Sequence, residues 1–466
     1  MSHFLREVEE KYDVSSIRVD GEQVWPYLRI AYATSYLFKG RRMRRTRSKT
    51  LAGSIIDSIG KLFYGFGGWF RQYDYVIFST SRSNVRKRIE GEYFDRFADP
   101  LADVLGRDKT LVIEDPEPDH LPKEEVYTKN ITGIYPIYLL SAVKRKLSPG
   151  PLEIVGQTTL DQIKKDYGLE VDDERIIRTF RSRYSAYKRF FKHLKPSFVF
   201  IVCSYYDMGK VKAAKDLDIK VVEIQHGSTG EGHEAYNIYA DLNRVFYPDH
   251  VLVFGKRDAE VLERGRFVEA GNAYTVGSFY IDYIKHNFKP DTSLVNRLKK
   301  FNKVVGVTLQ STVEDDLIDF IITCAALDRD IGYILIPRHP IERDYSSLIL
   351  PDNIIVELER EFYELMPYID IHSTVYSSCA VEAPSLGAPN ILVNINNLSK
   401  LYFSSLLGDE RTSRYVETPQ EFLKAVRSFS GIERESVARL NEDIIKPGYP
   451  DNIKLFVEKV VRQGRA

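Results

Sequence analysis

The segment KVVEIQHG (220–227) decides the fold, because its pattern recurs along the chain. A short apolar run, as expected of a buried strand, gives way to polar residues at its carboxyl end. Four similar runs lie in the first part of the chain and five in the second. They are YVIFST (75–80), TLVIED (110–115), FVFIVCS (198–204), HVLVFG (250–255), KVVGVTLQS (303–311), YILIPRHP (333–340), NIIVEL (353–358), IDIHST (369–374) and NILVNI (390–395).

Stretches of helical pattern separate these runs, for instance DERIIRTFRSRYSAYKRFFKHL (173–194) and DDLIDFIITCAALDRD (315–330). Buried strands that alternate with helices predict parallel sheets covered by helices on both faces. In such sheets ligands bind outside the carboxyl ends of the strands. We therefore expect an α/β protein with two Rossmann-like domains whose parallel sheets face each other across a cleft.

The predicted boundaries follow a break between the two series of strands near 286–300. The expected parts are an N-terminal basic, aromatic helical segment (1–70), an N-terminal Rossmann-like domain (71–288) and a C-terminal Rossmann-like domain (289–466). The last domain closes with an amphipathic helix in DNIKLFVEKVVRQ (451–463).

Composition favours a cytoplasmic protein. The 466 residues contain 66 Lys and Arg against 66 Asp and Glu, so net charge gives no support to a nucleic-acid partner, and we expect none. The three cysteines, Cys203, Cys324 and Cys379, form no CxxC pair and are expected as reduced, buried thiols. The sequence shows neither a signal-peptide pattern nor a membrane-spanning run.

The N-terminal segment combines charge with aromatic residues. GRRMRRTRSK (40–49) carries six positive charges and lies between WPYLRIAYATSYLF (25–38) and IIDSIGKLFYGFGGWF (55–70). This arrangement suits contact between 25–70 and an anionic membrane face, which would place the protein peripherally on the inner membrane. The alternative is a solvated helix end beside an ordinary pair of helices.

The loop that follows the opening segment, GSTGEGHEAY (227–236), is rich in acid/base groups and glycine. His226, Glu231 and His233 can move protons, and Gly227 permits a ligand to approach closely. A metal site is the obvious rival, but the HExxH and HxxxH spacings and cysteine ligands are missing, so we expect no metal. A merely solvated loop is the other alternative.

The second series carries two polar motifs. In STVYSSCAVEAPSLGAPNILV (373–393), Ser377 and Ser378 are expected to begin a short helix and bind phosphate, with Glu382 one turn later on a ribose. A capped helix without a ligand explains the same residues. In IPRHP (336–340), Arg338 offers a guanidinium fork for phosphate, His339 adds a donor and Pro340 stiffens the turn. His339 is otherwise an ordinary loop histidine.

The turn STSRSNVR (79–86) follows the first strand. Ser81, Arg82 and Arg86 are expected on the acceptor side of the site, together with Gly227 and His233. A plain surface turn is the alternative.

Taken together, these motifs resemble GT-B-fold glycosyltransferases. The nearest likeness is to bacterial enzymes of capsule and surface-polysaccharide synthesis, namely transferases that use CMP-activated Kdo or sialic acid and CDP-glycerol glycerophosphotransferases. The likeness covers roughly residues 73–445 in layout, and specific motifs cover only some forty positions.

The resemblance implies roles for individual residues. It places phosphate binding on His339-Pro340 and on Ser377 with Ser378. His226-Gly227 matches the His-Gly pair that supplies the base in the glycerophosphotransferases, although the usual preceding aromatic residue is missing. Glu231-Gly232 is the closest match to the acidic motif of the sialyltransferase-like enzymes, but Gly230 stands where a second acid is usual. We therefore expect His226 as base, with Glu231 as rival or helper.

The predicted function is transfer of a sugar from a nucleotide-activated donor, CMP-linked by preference, to a surface polysaccharide or lipid-linked glycan. The nucleotide sugar is a substrate, and the resemblance implies neither metal nor cofactor. EAPSLGAPNILV also resembles the non-hydrolysing UDP-N-acetylglucosamine 2-epimerases, in which the glutamate binds the ribose, as expected for Glu382. An epimerase and a catalytically inactive, sugar-nucleotide-binding scaffold are the alternatives.

Overall fold

The computed structural model describes residues 4–37, 39, 60–82, 84–147, 150–227, 229–230, 233–338, 341 and 343–465. Its strands are β1 (Arg18–Val19), β2 (Glu22–Gln23), β3 (Tyr75–Thr80), β4 (Arg86–Ile89), β5 (Glu92–Asp95), β6 (Thr110–Asp115), β7 (Ile131–Gly133), β8 (Phe198–Val202), β9 (Lys220–Ile224), β10 (His250–Val253), β11 (Ala273–Thr275), β12 (Lys303–Thr308), β13 (Ile331–Ile336), β14 (Ile354–Val356), β15 (Ile371–Thr374), β16 (Asn390–Val393) and β17 (Ser413–Val416).

The α-helices alternate with these strands over most of the chain. They are α1 (Phe4–Lys11), α2 (Trp25–Leu37), α3 (Ala98–Leu105), α4 (Tyr135–Lys146), α5 (Gln157–Tyr167), α6 (Asp173–Leu194), α7 (Met208–Lys215), α8 (Lys256–Arg264), α9 (Phe279–Asn287), α10 (Thr292–Leu298), α11 (Glu314–Leu327), α12 (Phe362–Leu365), α13 (Cys379–Glu382), α14 (Leu398–Phe403), α15 (Pro419–Ser428), α16 (Arg434–Leu440) and α17 (Tyr449–Phe456). A π-helical segment, Val457–Arg462, extends α17.

Two parallel sheets organise the described residues. The first has seven strands in the order β11-β10-β9-β8-β3-β6-β7, and the second has six in the order β14-β13-β12-β15-β16-β17. Every neighbouring pair in both sheets is parallel. The central strands are almost wholly buried, which is why their sequences read as continuous apolar runs rather than as alternating ones.

The chain divides into two compact units, one around each sheet. The first domain comprises Ser2–Val253, Asp258–Val276 and Pro450–Ala466, and the second comprises Phe254–Arg257 and Gly277–Tyr449. Residues 277–288 thus belong with the second sheet, and the terminal helical segment belongs with the first, where Phe456 lies edge-on to Tyr274. The sequence had suggested a boundary at 288 and a terminal helix in the second domain.

All ten strands predicted from the sequence are present, and the helix predicted at 173–194 is α6. The sequence did not predict the edge strands β7, β11 and β17. Each has three or four residues and little apolar content, so it carries almost no periodic signal. The sequence also gave no indication of the antiparallel hairpin β4–β5.

The N-terminal helices are part of the first domain's core. Trp25, Leu28 and Tyr32 of α2 are fully buried and share one apolar cluster with Phe246 and Val251. These aromatic side chains are therefore unavailable to a membrane surface, which corrects that part of the expectation for 25–70. The basic stretch 40–49 lies outside the described residues. Across those residues, no helix combines the length and the apolar character needed to cross a bilayer.

A buried ion pair connects α1 with α2. Arg29 and Glu9 have side chains with 0% exposure, and Nε of Arg29 lies 2.7 Å from Oε1 of Glu9. The same carboxylate accepts a hydrogen bond from the indole of Trp25 at 3.0 Å. Its other oxygen accepts the backbone N–H of Tyr239 at 2.8 Å, so Glu9 also holds a distant segment of the domain.

Replacing Arg29 with alanine should lower the free energy of unfolding of the first domain by about 3–5 kcal/mol, because Glu9 would be left buried without its counter-charge. Urea denaturation followed by tryptophan fluorescence measures the change. Arg6→Ala is the matched control, since it removes an exposed helical pair with Glu10. It should cost less than about 1 kcal/mol. Equal effects of the two substitutions would contradict the structural role of the buried pair.

Candidate functional site

The carboxyl edge of the first sheet carries the acid/base groups. Strands β8 and β9 are neighbours and parallel, so the loops after Val202 and Ile224 leave the sheet side by side. The first loop brings Tyr205 to this edge, and the second brings His226. The centroids of the Tyr205 and His226 rings are 6.3 Å apart.

Glu223 is a carboxylate inside a buried strand. It is fully buried in β9 and accepts hydrogen bonds from the backbone N–H of Ser204 at 3.1 Å, from the Ser204 hydroxyl, and from the Tyr236 hydroxyl at 2.9 Å. Burial raises the pKa of Glu223 to about 7, although these donors oppose the shift. The side chain can thus hold a proton near neutral pH directly beneath the loop that carries His226.

His226 is positioned as a neutral imidazole. Its Nδ1 is buried and has no hydrogen-bond partner within the described residues. Burial lowers the pKa of His226 to about 4, and the nearby His233, Arg82 and Arg96 add to the shift. An uncharged imidazole is the form that a general base requires, because one of its two nitrogens can accept a proton.

His233 lies in the same group of rings. Its centroid is 5.6 Å from that of Tyr205 and 4.7 Å from that of Tyr236. Burial lowers the pKa of His233 as well, and its Nδ1 is also buried without a partner in the described part of the chain. The structure therefore brings His226 and His233 together, as the loop sequence suggested. Glu231, the predicted rival base, lies outside the described residues.

Only some residues of the turn after β3 are placed to act at the candidate site. The Ser81 hydroxyl donates to the carbonyl of Asp119 at 2.8 Å and accepts the N–H of Glu117 at 2.7 Å, so it fixes the loop. Arg82 is exposed and pairs with Glu117, yet its charge acts on His226. Gly227 faces open space, so no close approach of protein atoms requires a glycine there.

Arg86 was expected on the acceptor side, but it is buried. Its guanidinium lies 2.6 Å from Glu114, 3.7 Å from Asp95 and 3.9 Å from Asp99. Glu114 also binds Nδ1 of His120 at 2.6 Å. Because three carboxylates surround it, Arg86 serves as the counter-charge within this buried cluster and is not available to a substrate.

The carboxyl edge of the second sheet is a hydroxyl-rich network. The amide of Gln310, which follows β12, donates to the Thr374 hydroxyl at 2.7 Å, and its oxygen accepts the N–H of Tyr376 at 3.2 Å. Tyr376 stacks on Tyr402 with ring centroids 5.1 Å apart. The network fixes the backbone that leads from β15 to Ser377.

The predicted phosphate-binding residues occupy this edge. Ser378 is exposed and precedes the short helix α13, as expected, and the Ser377 hydroxyl accepts the N–H of Cys379 at 3.3 Å. Arg338 follows β13 and is exposed. Glu382 accepts a hydrogen bond from the Tyr363 hydroxyl at 2.7 Å. His339 and Pro340 lie outside the described residues.

Buried polar residues in the strands were missed by sequence reasoning. His372 is fully buried in β15, where its Nε2 lies 3.0 Å from the Thr308 hydroxyl and its Nδ1 lies 2.8 Å from Oδ1 of Asn390. Burial lowers the pKa of His372 to about 4. Glu223 interrupts an otherwise apolar strand sequence, and this interruption is the signal that could have revealed it, whereas His372 begins the polar run HST with which β15 ends. Within the described residues, no group of three or more His, Cys, Asp or Glu side chains could hold a metal ion.

No protein-family model and no curated protein matches this sequence. Solved structures do. CalG4, the calicheamicin glycosyltransferase, superposes with a TM-score of 0.52 at 14% identity, covering 85% of this chain and 100% of that one. The UDP-GlcNAc 2-epimerase of Neisseria meningitidis bound to UDP-GlcNAc gives 0.50 at 14% identity, covering 83% and 99%. Staphylococcus aureus MnaA, solved with UDP, gives 0.51 at 10% identity, covering 84% and 97%.

At these identities the likeness establishes the fold alone. The α/β fold predicted from the sequence, GT-B with two Rossmann-like domains, is confirmed. Glycosyltransferases and sugar-nucleotide epimerases both occur among the similar structures, so the fold does not decide between these two activities.

Replacing Glu223 with glutamine should change how stability depends on pH. The folded state holds the Glu223 proton more tightly than the unfolded state, so the wild type loses stability as pH rises from about 4.5 to about 7. The glutamine variant lacks this loss, so its free energy of unfolding should rise by about 3 kcal/mol relative to that of the wild type across this pH range. Urea titrations at several pH values measure it. Glu410→Gln, at an exposed site paired with Arg414, is the control and should show no such gain. A pH-independent difference for Glu223→Gln would contradict the assignment.

Proposed function

We propose that the protein is a glycosyltransferase that moves a sugar from a nucleotide-activated donor to a hydroxyl of a surface polysaccharide or lipid-linked glycan. The observation that carries the proposal is the neutral, half-buried His226 with an unpartnered ring nitrogen beside His233 and Tyr205. A site that only bound sugar would not need an imidazole kept uncharged with a free acceptor. Cys203, Cys324 and Cys379 form no disulfide, which supports a reducing, cytoplasmic location.

The first domain supplies the base in this mechanism. The imidazole of His226 removes the proton of the acceptor hydroxyl as the hydroxyl oxygen attacks the anomeric carbon of the donor and the bond from that carbon to the nucleotide phosphate breaks. Burial keeps the imidazole uncharged in the free protein, and the nearby His233, Arg82 and Arg96 add to this effect. When an anionic donor is bound, its charge raises the pKa of His226 and strengthens the base.

The second domain supplies the nucleotide site. Ser377, Ser378 and the guanidinium of Arg338 bind the donor phosphate and stabilise the negative charge that develops as the glycosidic bond breaks. Glu382, held by Tyr363, binds the ribose hydroxyls. A CMP-linked donor is favoured by the resemblance of these motifs to the Kdo and sialic acid transferases.

An epimerase is the second candidate. It is supported by the shared fold with an enzyme solved with UDP-GlcNAc and by the glutamate at Glu382. Incubation with UDP-GlcNAc in the absence of any acceptor separates the two candidates. Formation of the C2 epimer would identify an epimerase, whereas a transferase leaves the sugar configuration unchanged. Binding of sugar nucleotides without any turnover would instead point to an inactive scaffold.

CMP should raise the melting temperature more than CDP, UMP, UDP, GDP or ADP in a thermal-shift titration, because a nucleotide that binds only the folded state stabilises it. Arg338→Ala should weaken binding of the preferred nucleotide by roughly tenfold or more, since a charge-assisted hydrogen bond is lost. Lys424→Ala, at an exposed position on α15, is the control and should leave affinity unchanged. If none of the six nucleotides raises the melting temperature, the proposed nucleotide site is wrong.

His226→Ala should lower kcat by about 10²–10⁴-fold while nucleotide affinity stays within twofold or so, because the base acts only in the chemical step. The wild-type profile of kcat/KM should fall with decreasing pH near pH 4, where the imidazole becomes protonated. For the variant, kcat/KM should show no such fall near pH 4. His286→Ala, at an exposed position at the end of α9, is the control. Parent-like turnover by the His226 variant would overturn its role as base.

A further inference from the structure

A pocket of about 560 Å³ lies in the second domain, at the amino ends of its parallel strands. Met366 and Pro367 of its lining precede β15, and Leu386 and Gly387 precede β16. The groups assigned to the nucleotide follow their strands, so they lie at the opposite edge of the sheet. Pockets of this size commonly hold small organic ligands, and this one is therefore a candidate for a second binding site.

Much of the pocket wall is apolar. Six apolar side chains come from α9 and the residue after it, from the segments that precede β15 and β16, from α16 and from the chain that follows it: Ile284, Phe288, Met366, Leu386, Ala438 and Ile445. Removing such a wall from water against the body of a ligand is favourable. The pocket therefore suits a ligand with an apolar body.

A half-buried arginine adds a positive charge to this wall. The Arg434 guanidinium donates to the carbonyls of Ile369, Met366 and Leu386 at 2.7, 3.0 and 2.7 Å. Within the described residues, no carboxylate forms an ion pair with it. Burial accordingly lowers the pKa of Arg434. Its charge is held in place by neutral oxygens and remains uncompensated at the pocket wall.

A second cation of the lining lies on α9. Lys285 forms neither a hydrogen bond nor an ion pair with any described residue. Although the residue is partly exposed, burial lowers the pKa of its ammonium group, and Asp282 and Glu442 oppose the shift only in part. The carboxylates of the lining, Glu435 and Glu442, are exposed and can turn to water. The charges that burial disfavours, on Arg434 and Lys285, are both positive, so the pocket favours an anionic group.

Helix α9 connects the pocket with the segment that carries Glu382. Tyr280, one turn before Ile284, packs edge-on against Tyr363 with the ring centroids 4.8 Å apart. Tyr363 in turn donates its hydroxyl hydrogen to Glu382 at 2.7 Å. A ligand that contacts Ile284 thus contacts a helix that packs directly against the partner of Glu382.

Helix α16 holds the same segment by hydrogen bonds. Asn441, the residue after α16, donates to the Val381 carbonyl at 3.2 Å and to the Ser385 hydroxyl at 2.6 Å. Arg434, the first residue of α16, donates to the carbonyl of Leu386. The two ends of one helix therefore bind backbone and side chain on both sides of Glu382 in the sequence.

We propose that this cavity, called here the α9–α16 pocket, binds a small organic acid with an apolar body, and that the bound acid stabilises the segment 379–388. The acid group pairs with Lys285 and Arg434, and the body packs against the apolar wall. Because Glu382 lies on the stabilised segment, the ligand acts as an effector from the opposite edge of the sheet. The inference goes beyond the proposed function and does not depend on it, since binding is measurable without donor or acceptor.

The lining selects this class of ligand over its neighbours. An amine would bring a third positive charge against Lys285 and Arg434. Inorganic phosphate would neutralise these cations but would leave the apolar wall in water. A neutral apolar compound would cover the wall and leave the two cations without a counter-charge. An acid with an apolar body satisfies both parts of the lining.

Calorimetric titration of the full chain with three matched compounds tests the chemistry of the pocket. Indole-3-acetate, indole-3-acetamide and tryptamine share one aromatic body and are anionic, neutral and cationic at neutral pH. Indole-3-acetate should bind about tenfold or more tightly than the amide, because its carboxylate gains a charge-assisted hydrogen bond. Tryptamine should bind more weakly than the amide. If none of the three binds, or if tryptamine binds as tightly as indole-3-acetate, the proposal is wrong.

Substitutions locate the binding site. Lys285→Gln should weaken binding of indole-3-acetate by about tenfold and change binding of the amide little, since only the charged partner is lost. Lys289→Gln is the matched control, because Lys289 is an exposed cation just beyond α9 that is not part of the lining. Ala438→Trp fills the pocket and should abolish binding of both compounds. Equal binding of indole-3-acetate by Lys285→Gln and Lys289→Gln would place the ligand elsewhere and overturn the proposal.

Hydrogen exchange tests the effect on the neighbouring segment. Saturating indole-3-acetate should slow amide exchange in peptides that cover 379–388, because a ligand that binds the folded segment opposes its local opening. Peptides from α6, in the first domain, are the internal control and should exchange at an unchanged rate. The Lys285→Gln variant at the same ligand concentration should show a smaller effect. Binding of indole-3-acetate without slower exchange at 379–388 would contradict the effector role.

Discussion

The buried ion pair between Arg29 and Glu9 fixes the segment on which the candidate catalytic loop depends. The Arg29 guanidinium donates to the carbonyls of Glu234, Ala235 and Asn237 at 3.1, 3.3 and 2.5 Å. These residues directly follow His233. An arginine that has no access to water must satisfy its donors within the protein, and here backbone carbonyls and one carboxylate do so.

This anchoring extends to the strand beneath the loop. Tyr236, which lies within the anchored segment, donates to Glu223 in β9. Glu223 also accepts from Ser204, the second residue after β8, so one carboxylate ties together three chain segments at the sheet edge. The N-terminal helices are therefore part of the framework that positions His226 and His233. Their contribution to function is structural and is exerted through backbone hydrogen bonds.

The two sheets use the parallel arrangement in the same way but carry different chemistry. The edge of the first sheet presents imidazole rings whose charge burial suppresses, and these can accept protons. The edge of the second presents hydroxyls and a guanidinium, which stabilise negative charge without changing protonation state. The shared fold of glycosyltransferases and epimerases is compatible with this division, and the side chains at each edge decide between the two activities.

The sequence by itself determined the ten main strands, the long helix α6 and the polar clusters that follow the strands. Such features are local, because an apolar strand, a helical repeat of apolar residues or a polar turn can each be recognised within about ten residues. The same local rule led to the resemblance with the GT-B fold and to the placement of Ser378 before a short helix. It failed at the edge strands β7, β11 and β17, which are too short to show a period.

Only the tertiary structure decided which polar residues remain available to a substrate. Arg82 and Arg86 look alike in the sequence, yet Arg82 is exposed while three carboxylates from distant positions enclose Arg86. Likewise, Glu223 was one charge within an apolar run until Ser204 and Tyr236 were found to hydrogen-bond to it. Burial and long-range pairing set the charge state of a side chain, and neither is encoded in the residues next to it.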